Sequence, residues 1–315
     1  MSAAHAVGAG APVLISAYAA SPAQQRWDPA LEGELLPGLF ALPDVVGFEV
    51  PWIDGIHPHD TDWFLANVPA GARLAITPLP WVMGRVASAP GYGVASSDAG
   101  GRRAALDDLE RVRADAARIA SSSAATVDLI ALHTAPRGGG DVDALRRSLD
   151  EVAGWDWSGA ALVIEHCDAW VPGQTPEKGF LTLDAEIDAI TRSGAPVGLW
   201  MNWGRSAIEL RDTDAVTAQI SDAAASGLLT GLAFSGAAPV DGPYGAAWID
   251  AHLPIAETHP ASASLLDAAH VRSGLAAAGQ VPWLGVKVSR RPDDVTAAEV
   301  TRTVARNLGV VRAAL

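Results

Sequence analysis

The 315 residues contain a single cysteine, Cys167. An intrachain disulfide is therefore excluded, and a reducing compartment, the cytoplasm, is the expected location. Positive charge is scarce as well: 22 lysines and arginines face 36 aspartates and glutamates, giving a net charge of -14 and a pI near 4.9. A field of that sign argues against nucleic acid or an anionic membrane as partner, although a local basic pocket stays open. No apolar run reaches the roughly 18 residues that a membrane span needs. Met1 to Pro12 is rich in alanine and glycine and lacks a basic stretch, so it reads as a flexible tail rather than a signal. What is present, 49% hydrophobic and 18% charged residues, describes a globular protein. A chain of roughly 250 residues or more fits one barrel domain, here 13–315.

The most informative stretch is Ala161-Leu-Val-Ile-Glu-His-Cys-Asp168, an apolar run that ends in a polar cluster. Continuous apolar runs suit strands buried on both faces, as in a parallel sheet covered by helices. Similar junctions place strand starts near residues 13, 45, 73, 127, 161, 196, 229 and 283. Most intervals are about 30 residues, the length of one strand–helix unit. The two longer intervals imply long loops at about 78–101 and 236–261. Eight such units predict an α/β fold, a single (β/α)8 TIM barrel, whose strands close without edges.

Alternate residues of a barrel strand face inward, which offers a second check. Counting back by two from each terminal polar residue pairs Glu49 with Gly47, Thr77 with Ala75 and His133 with Ala131. It pairs Asn202 with Gly198, Ser235 with Ala233, Lys287 with Gly285, Tyr18 with Ser16, and Glu165 with Val163. Small residues inside, topped by one polar residue per strand, predict a packed barrel with a polar mouth.

The mouth should then hold Tyr18, Glu49, Thr77, His133, Glu165, Asn202, Ser235 and Lys287, with His166, Asp168 and Arg205 in the loops just above. Carboxylate, imidazole and ammonium in one desolvated cup suit proton transfer beside a developing oxyanion. The same groups could instead form a structural ion-pair plug. Eleven tryptophans outnumber five phenylalanines and three tyrosines. Trp52, Trp81, Trp170, Trp203 and Trp248 follow strand ends, where indole rings stack on sugar C–H faces and donate to hydroxyls. Carbohydrate is the substrate class this predicts, with packing under loops the alternative use of the rings. Cys167 lacks an evident cation to activate it and reads as a buried structural thiol. Gly138-Gly-Gly140 and Phe234-Ser-Gly236 fit plain turns better than an anion cradle.

Gly-Phe-Glu49, Leu-His133, Val-Ile-Glu165-His166 and Gly-Leu-Trp-Met-Asn202-Trp-Gly-Arg205 resemble, in that order, the xylose-isomerase-like TIM barrels. That superfamily includes sugar isomerases, epimerases and an apurinic endonuclease, and this chain resembles a divergent bacterial branch of it without an assigned function. The resemblance implies, for most members, a divalent metal (Mn, Zn, Co or Mg) held by strand-end carboxylates and histidines, and a homodimer. Glu165 matches the strand-five glutamate ligand. The strand-six Asp-x-x-His pair is here Asn202 and Arg205, the strand-eight glutamate is Lys287, and Ser235 stands where a strand-seven histidine is expected. Asp250 and His252 resemble an Asp-x-His pair of some members and, with Glu165 and His133, outline the alternative metal set. Lost ligands and gained cations favour no cofactor, with Arg205 and Lys287 holding an anionic group of a sugar.

Four functions stay open. The first is a sugar isomerase, epimerase or lyase in which Glu165 abstracts a proton, His133 shuttles it and Lys287 stabilises the oxyanion, with Glu49 as a further catalytic carboxylate. The others are a metal-dependent isomerase or epimerase, a glycoside hydrolase using Glu49 and Glu165 as its carboxylate pair, and a sugar-binding barrel without turnover.

Overall fold

The computed structural model describes residues 11–315, so most of the expected N-terminal tail lies outside the described residues. Eight parallel strands close a barrel in chain order: β1 (Val13–Ser16), β2 (Val45–Pro51), β3 (Arg73–Thr77), β4 (Thr126–Leu132), β5 (Ala161–Glu165), β6 (Val197–Asn202), β7 (Leu229–Phe234) and β8 (Trp283–Val286). β1 pairs with β8, which seals the cylinder. The outer helices are α1 (Ala17–Ala20), α2 (Pro29–Phe40), α3 (Thr61–Asn67), α4 (Leu79–Ser88), α5 (Ala99–Ser122) and α6 (Val142–Val152). They continue as α7 (Leu183–Ser193), α8 (Trp203–Leu210), α9 (Thr213–Ala225), α10 (Ala268–Ala278) and α11 (Ala297–Ala313).

Local chemistry starts most helices where the chain leaves a strand. Asp60 accepts from the Trp63 amide to cap α3, and Thr296 and Glu299 form a capping box on α11. Side-chain alternation then sorts each strand into an inner and an outer set. Leu14, Ala75, Leu129, Ala131, Val163, Trp200, Ala233 and Trp283 fill the barrel interior, while a larger core packs strands against helices. The small inward residues have a specific use, because they make room for Trp200. A Cβ at Gly231 would sit 2.2 Å from the Trp200 ring, and one at Gly285 would sit 3.1 Å from it.

Three expectations need correction. The stretch 78–101 is not one loop, because α4 occupies Leu79–Ser88. Pro78 and Pro80 end β3, but they also start a helix, whose first amides have no partner within it anyway. Tyr18 is not on β1; it lies in the short helix α1 that follows. Asn202 does not simply end β6, for it also caps α8, an extra helix before α9, by accepting from the Gly204 amide at 3.1 Å. The 236–261 connection holds only two short 3-10 turns, at Ala256–Thr258 and Pro260–Ser262. Among the described residues no helix is long and apolar enough to cross a membrane.

A buried charge chain at the barrel mouth as candidate active site

Glu165 ends β5 with its carboxylate on the barrel axis side, buried and shared among four partners. Its Oε1 accepts from Arg205 Nη1 at 2.5 Å and Lys287 Nζ at 3.3 Å. Its Oε2 accepts from His133 Nε2 at 3.0 Å and Thr77 Oγ1 at 3.4 Å. Lys287 Nζ also donates to Glu49 Oε1 at 2.6 Å. Glu49 in turn accepts from Ser16, its register partner on β1. On the other flank, Arg205 Nε donates to Asp250 Oδ2 at 3.0 Å, and Lys178 Nζ meets the same oxygen at 2.9 Å. His252 Nδ1 closes the chain on Asp250 Oδ1 at 3.0 Å, with Ser235 Oγ 3.2 Å from that nitrogen. Three carboxylates thus alternate with three cations.

Burial penalises each of these charges, and their neighbours decide the outcome. For Glu165 burial is outweighed by Arg205, Lys287 and the His133 bond, so its carboxyl stays well below the usual range. Burial and Arg205 oppose charge on Lys287, but Glu165 and Glu49 win and hold the ammonium above its ordinary range. Asp250 is likewise held low against burial, by its hydrogen bond with His252 and by the charges of Lys178 and Arg205. Burial dominates at His133 and His252, whose pKa values fall, so both imidazoles are neutral at pH 7. A carboxylate only accepts, so His133 carries its proton on Nε2, and its buried Nδ1 has no partner.

Access to this chain is uneven. The Lys287 side chain is 0% exposed and Glu165 2%, whereas Glu49 is 11% exposed. Beneath Glu49, Thr77 and Glu165 a cavity of about 20 Å³ is walled by Ala75, Ala131 and Trp200, room for one water. Beside the chain lies a cleft of about 430 Å³, lined by Tyr18, Gln24, Gln25, Tyr244, Ser289 and Arg290 among others. Tyr18 stands between the two, its ring centroid 5.4 Å from Lys287 Nζ and 6.5 Å from the His252 ring. Burial and Glu49 hold its phenol protonated.

Of the expected mouth residues, the structure brings together Tyr18, Glu49, Thr77, His133, Glu165, Arg205, Ser235 and Lys287. It places others elsewhere. His166 points away from the mouth into the helical layer, where Nδ1 meets Glu186 at 2.7 Å and Nε2 meets Glu209 at 3.0 Å. Burial disfavours its charge, yet the two carboxylates raise its pKa to about 10. Asp168 folds back on its own loop, accepting from the amides of Glu177, Lys178 and Gly179. Asn202 is spent on the α8 cap. Trp52 is buried and donates to Asp115 of α5, and Trp203 packs against His270 of α10. Trp170 lies 47% exposed at the rim, and Trp248 sits under Arg211. Cys167 is buried, and burial pushes its thiol up despite Arg205, which matches an inert sulfur. Lys178 had no signal in the sequence, since it sits in a loop of Pro, Gly and Gln; only the closing of that loop onto Asp250 reveals it.

The donor set does not fit a divalent metal. Arg205 lies between Glu165 and Asp250, so Glu165, His133, Asp250 and His252 do not face one centre, and an ammonium and a guanidinium hold the Glu165 oxygen a metal would take. Among the described residues no group of three or more His, Cys, Asp or Glu is arranged to hold an ion.

An uncharacterized protein of Salmonella typhimurium strain LT2 is 34% identical over 282 residues, 87% of this chain and 88% of that one. The D-psicose 3-epimerase of Clostridium cellulolyticum H10 shares the fold with a TM-score of 0.57 at 14% identity, over 97% of this chain and 99% of that one. A xylose isomerase domain containing protein of Salmonella typhimurium LT2 gives a TM-score of 0.58 at 8% identity, over 98% and 100%. The family described as "Domain of unknown function (DUF4862)" matches residues 14–302. In fold the chain is a xylose-isomerase-like TIM barrel, and by sequence it belongs to the DUF4862 family.

Proposed function

We propose that this chain is an isomerase or epimerase acting on a sugar seated in the cleft beside Tyr18, by moving a proton at the carbon next to a carbonyl. One observation carries the reading: a charged ammonium, Lys287, lies buried between two carboxylates at the C-terminal end of a barrel, with the Tyr18 ring between it and a cleft of about 430 Å³. Removing a proton beside a carbonyl develops negative charge on the carbonyl oxygen, and a preorganised cation in a dry site stabilises it. Lys287 supplies that charge. Glu165, held well below the usual carboxylate range by its cations, is a weak proton acceptor and serves to anchor Lys287 and Arg205. Glu49 is the more accessible carboxylate and takes the proton. Its return to the opposite face of the same carbon gives epimerisation, and its return to the neighbouring carbon gives isomerisation. His133 fixes Glu165 through Nε2.

The carboxylate-pair route to glycoside cleavage gains no support, because Lys287 Nζ stands between Glu49 and Glu165. A second reading, a sugar binder without turnover, draws on the complete internal pairing of the charges. Incubating the protein with a panel of neutral and acidic aldoses and ketoses in D2O separates the two. Deuterium entering beside the carbonyl of one sugar, and lost about 10²–10⁴-fold in Glu49→Gln, supports the enzyme. A rise in Tm with a sugar that gains no deuterium supports the binder.

A further inference from the structure

We infer that Lys287 and Arg205 together stand in for a divalent cation, so that the mouth binds no catalytic metal and proton transfer proceeds without one. The inference rests on the proposed reaction for its chemistry, but its structural half stands apart from it. Two unit positive charges converge on Glu165 Oε1, from Arg205 at 2.5 Å and Lys287 at 3.3 Å. Each reaches one further carboxylate, Lys287 to Glu49 at 2.6 Å and Arg205 to Asp250 at 3.0 Å. Two positive charges bridging three carboxylates reproduce the charge balance of one divalent ion among acidic ligands. The difference lies in what each can give to substrate. A metal offers open coordination positions, whereas the ammonium and guanidinium offer N–H donors of fixed direction.

The arrangement also accounts for three buried carboxylates at one barrel mouth. Without Lys287 and Arg205, Glu49 and Glu165 would be left with no cationic partner and Asp250 with Lys178 alone, which disfavours burial of the three carboxylates. Lys287 just past β8 and Arg205 on α8, with Lys178 as the third cation, balance the three carboxylates from within the chain. Both cations stay charged, because the carboxylates around them outweigh burial.

The test is metal binding, read without turnover. Chelator-treated protein is titrated with CoCl2 and MnCl2 by calorimetry, and the visible absorption of Co²⁺ is followed. The expected result is no binding and no absorption. The overturning result is about one equivalent of tightly held metal that disappears in Glu165→Gln. A triple variant, Asn202→Asp, Arg205→His and Lys287→Glu, replaces the cations by ligands. It is expected to take up about one equivalent of Co²⁺ with a visible spectrum. A folded triple variant, checked by circular dichroism, that takes up none would overturn the idea that the cations occupy a metal's place. Should that variant not fold, the wild-type titration against Glu165→Gln still decides. If a sugar exchanges deuterium, the rate is expected to be unchanged by EDTA. A rate that EDTA abolishes and Mn²⁺ restores sinks the inference while leaving the isomerase reading intact. If no sugar exchanges, the isomerase reading fails and the titration still stands.

Discussion

Glu165 and His166 are neighbours in the chain and both are buried ions, yet they belong to two different clusters. Glu165 faces the barrel mouth and is the hub of alternating charges, with Tyr18 between them and a cleft. His166 faces the helices, gripped by Glu186 of α7 and Glu209 of α8, with Gln219 of α9 also in reach. Glu209 also accepts from the Ala169 amide, so this second cluster fastens the β5 loop to the helical layer. One peptide step thus separates a group in the barrel mouth from a group in the helical layer. The lesson is that a polar cluster at a strand end is not one site, because alternation divides it between the two faces.

The sharpest way to break this contrast is to remove the mouth hub. Glu165→Ala leaves Lys287 and Arg205 buried with one partner fewer, and a stability loss of about 3–5 kcal/mol is expected. Urea unfolding measures it, and a loss under about 1 kcal/mol would mean the mouth charges are not interdependent. Rates then separate the two faces. Glu49→Gln should lower sugar deuterium exchange about 10²–10⁴-fold in the folded protein, while His166→Gln should leave that rate nearly unchanged and cost stability. Equal rate losses in both variants would erase the distinction.

The helical cluster carries its own pH signature. The folded pKa of His166 lies at about 10, above its ordinary 6.5, so its contribution is whole below pH 6.5 and fades as pH rises through 10. The stability advantage of the wild type over His166→Gln should therefore shrink by roughly 2–3 kcal/mol between pH 6.5 and about pH 9. A pH-independent advantage would mean that His166 is not an imidazolium. The smallest effect is expected at the rim: Trp170→Ala, at an exposed side chain, should change stability by about 0.5 kcal/mol or less in thermal unfolding. Weakened sugar binding in that variant would show that this indole reaches ligand.

Part of the site could be read from residue order alone. Glu49, His133, Glu165 and Lys287 each terminate or follow an apolar run, and in a closed parallel barrel such positions converge at one end. The tryptophans could not be sorted that way. Trp52 and Trp203 follow strand ends as Trp170 does, but the first two are buried among helices α5 and α10. The residue just past a strand end has no fixed face, because the chain there turns according to its loop. For the same reason Lys178 and Asp250, far apart in sequence, meet only once two long loops fold over the mouth.

The barrel is legible in residue order, since the eight apolar runs and their inner glycines and alanines allow few other closed packings around Trp200. Residue order also puts a lysine, Lys287, just past β8 and an arginine, Arg205, on α8. Which charges pair emerges only once the chain has folded. A guanidinium and an ammonium in a low-dielectric mouth must be neutralised by whatever carboxylates come within about 4 Å, and that distance is set by strand register and loop closure rather than by residue order.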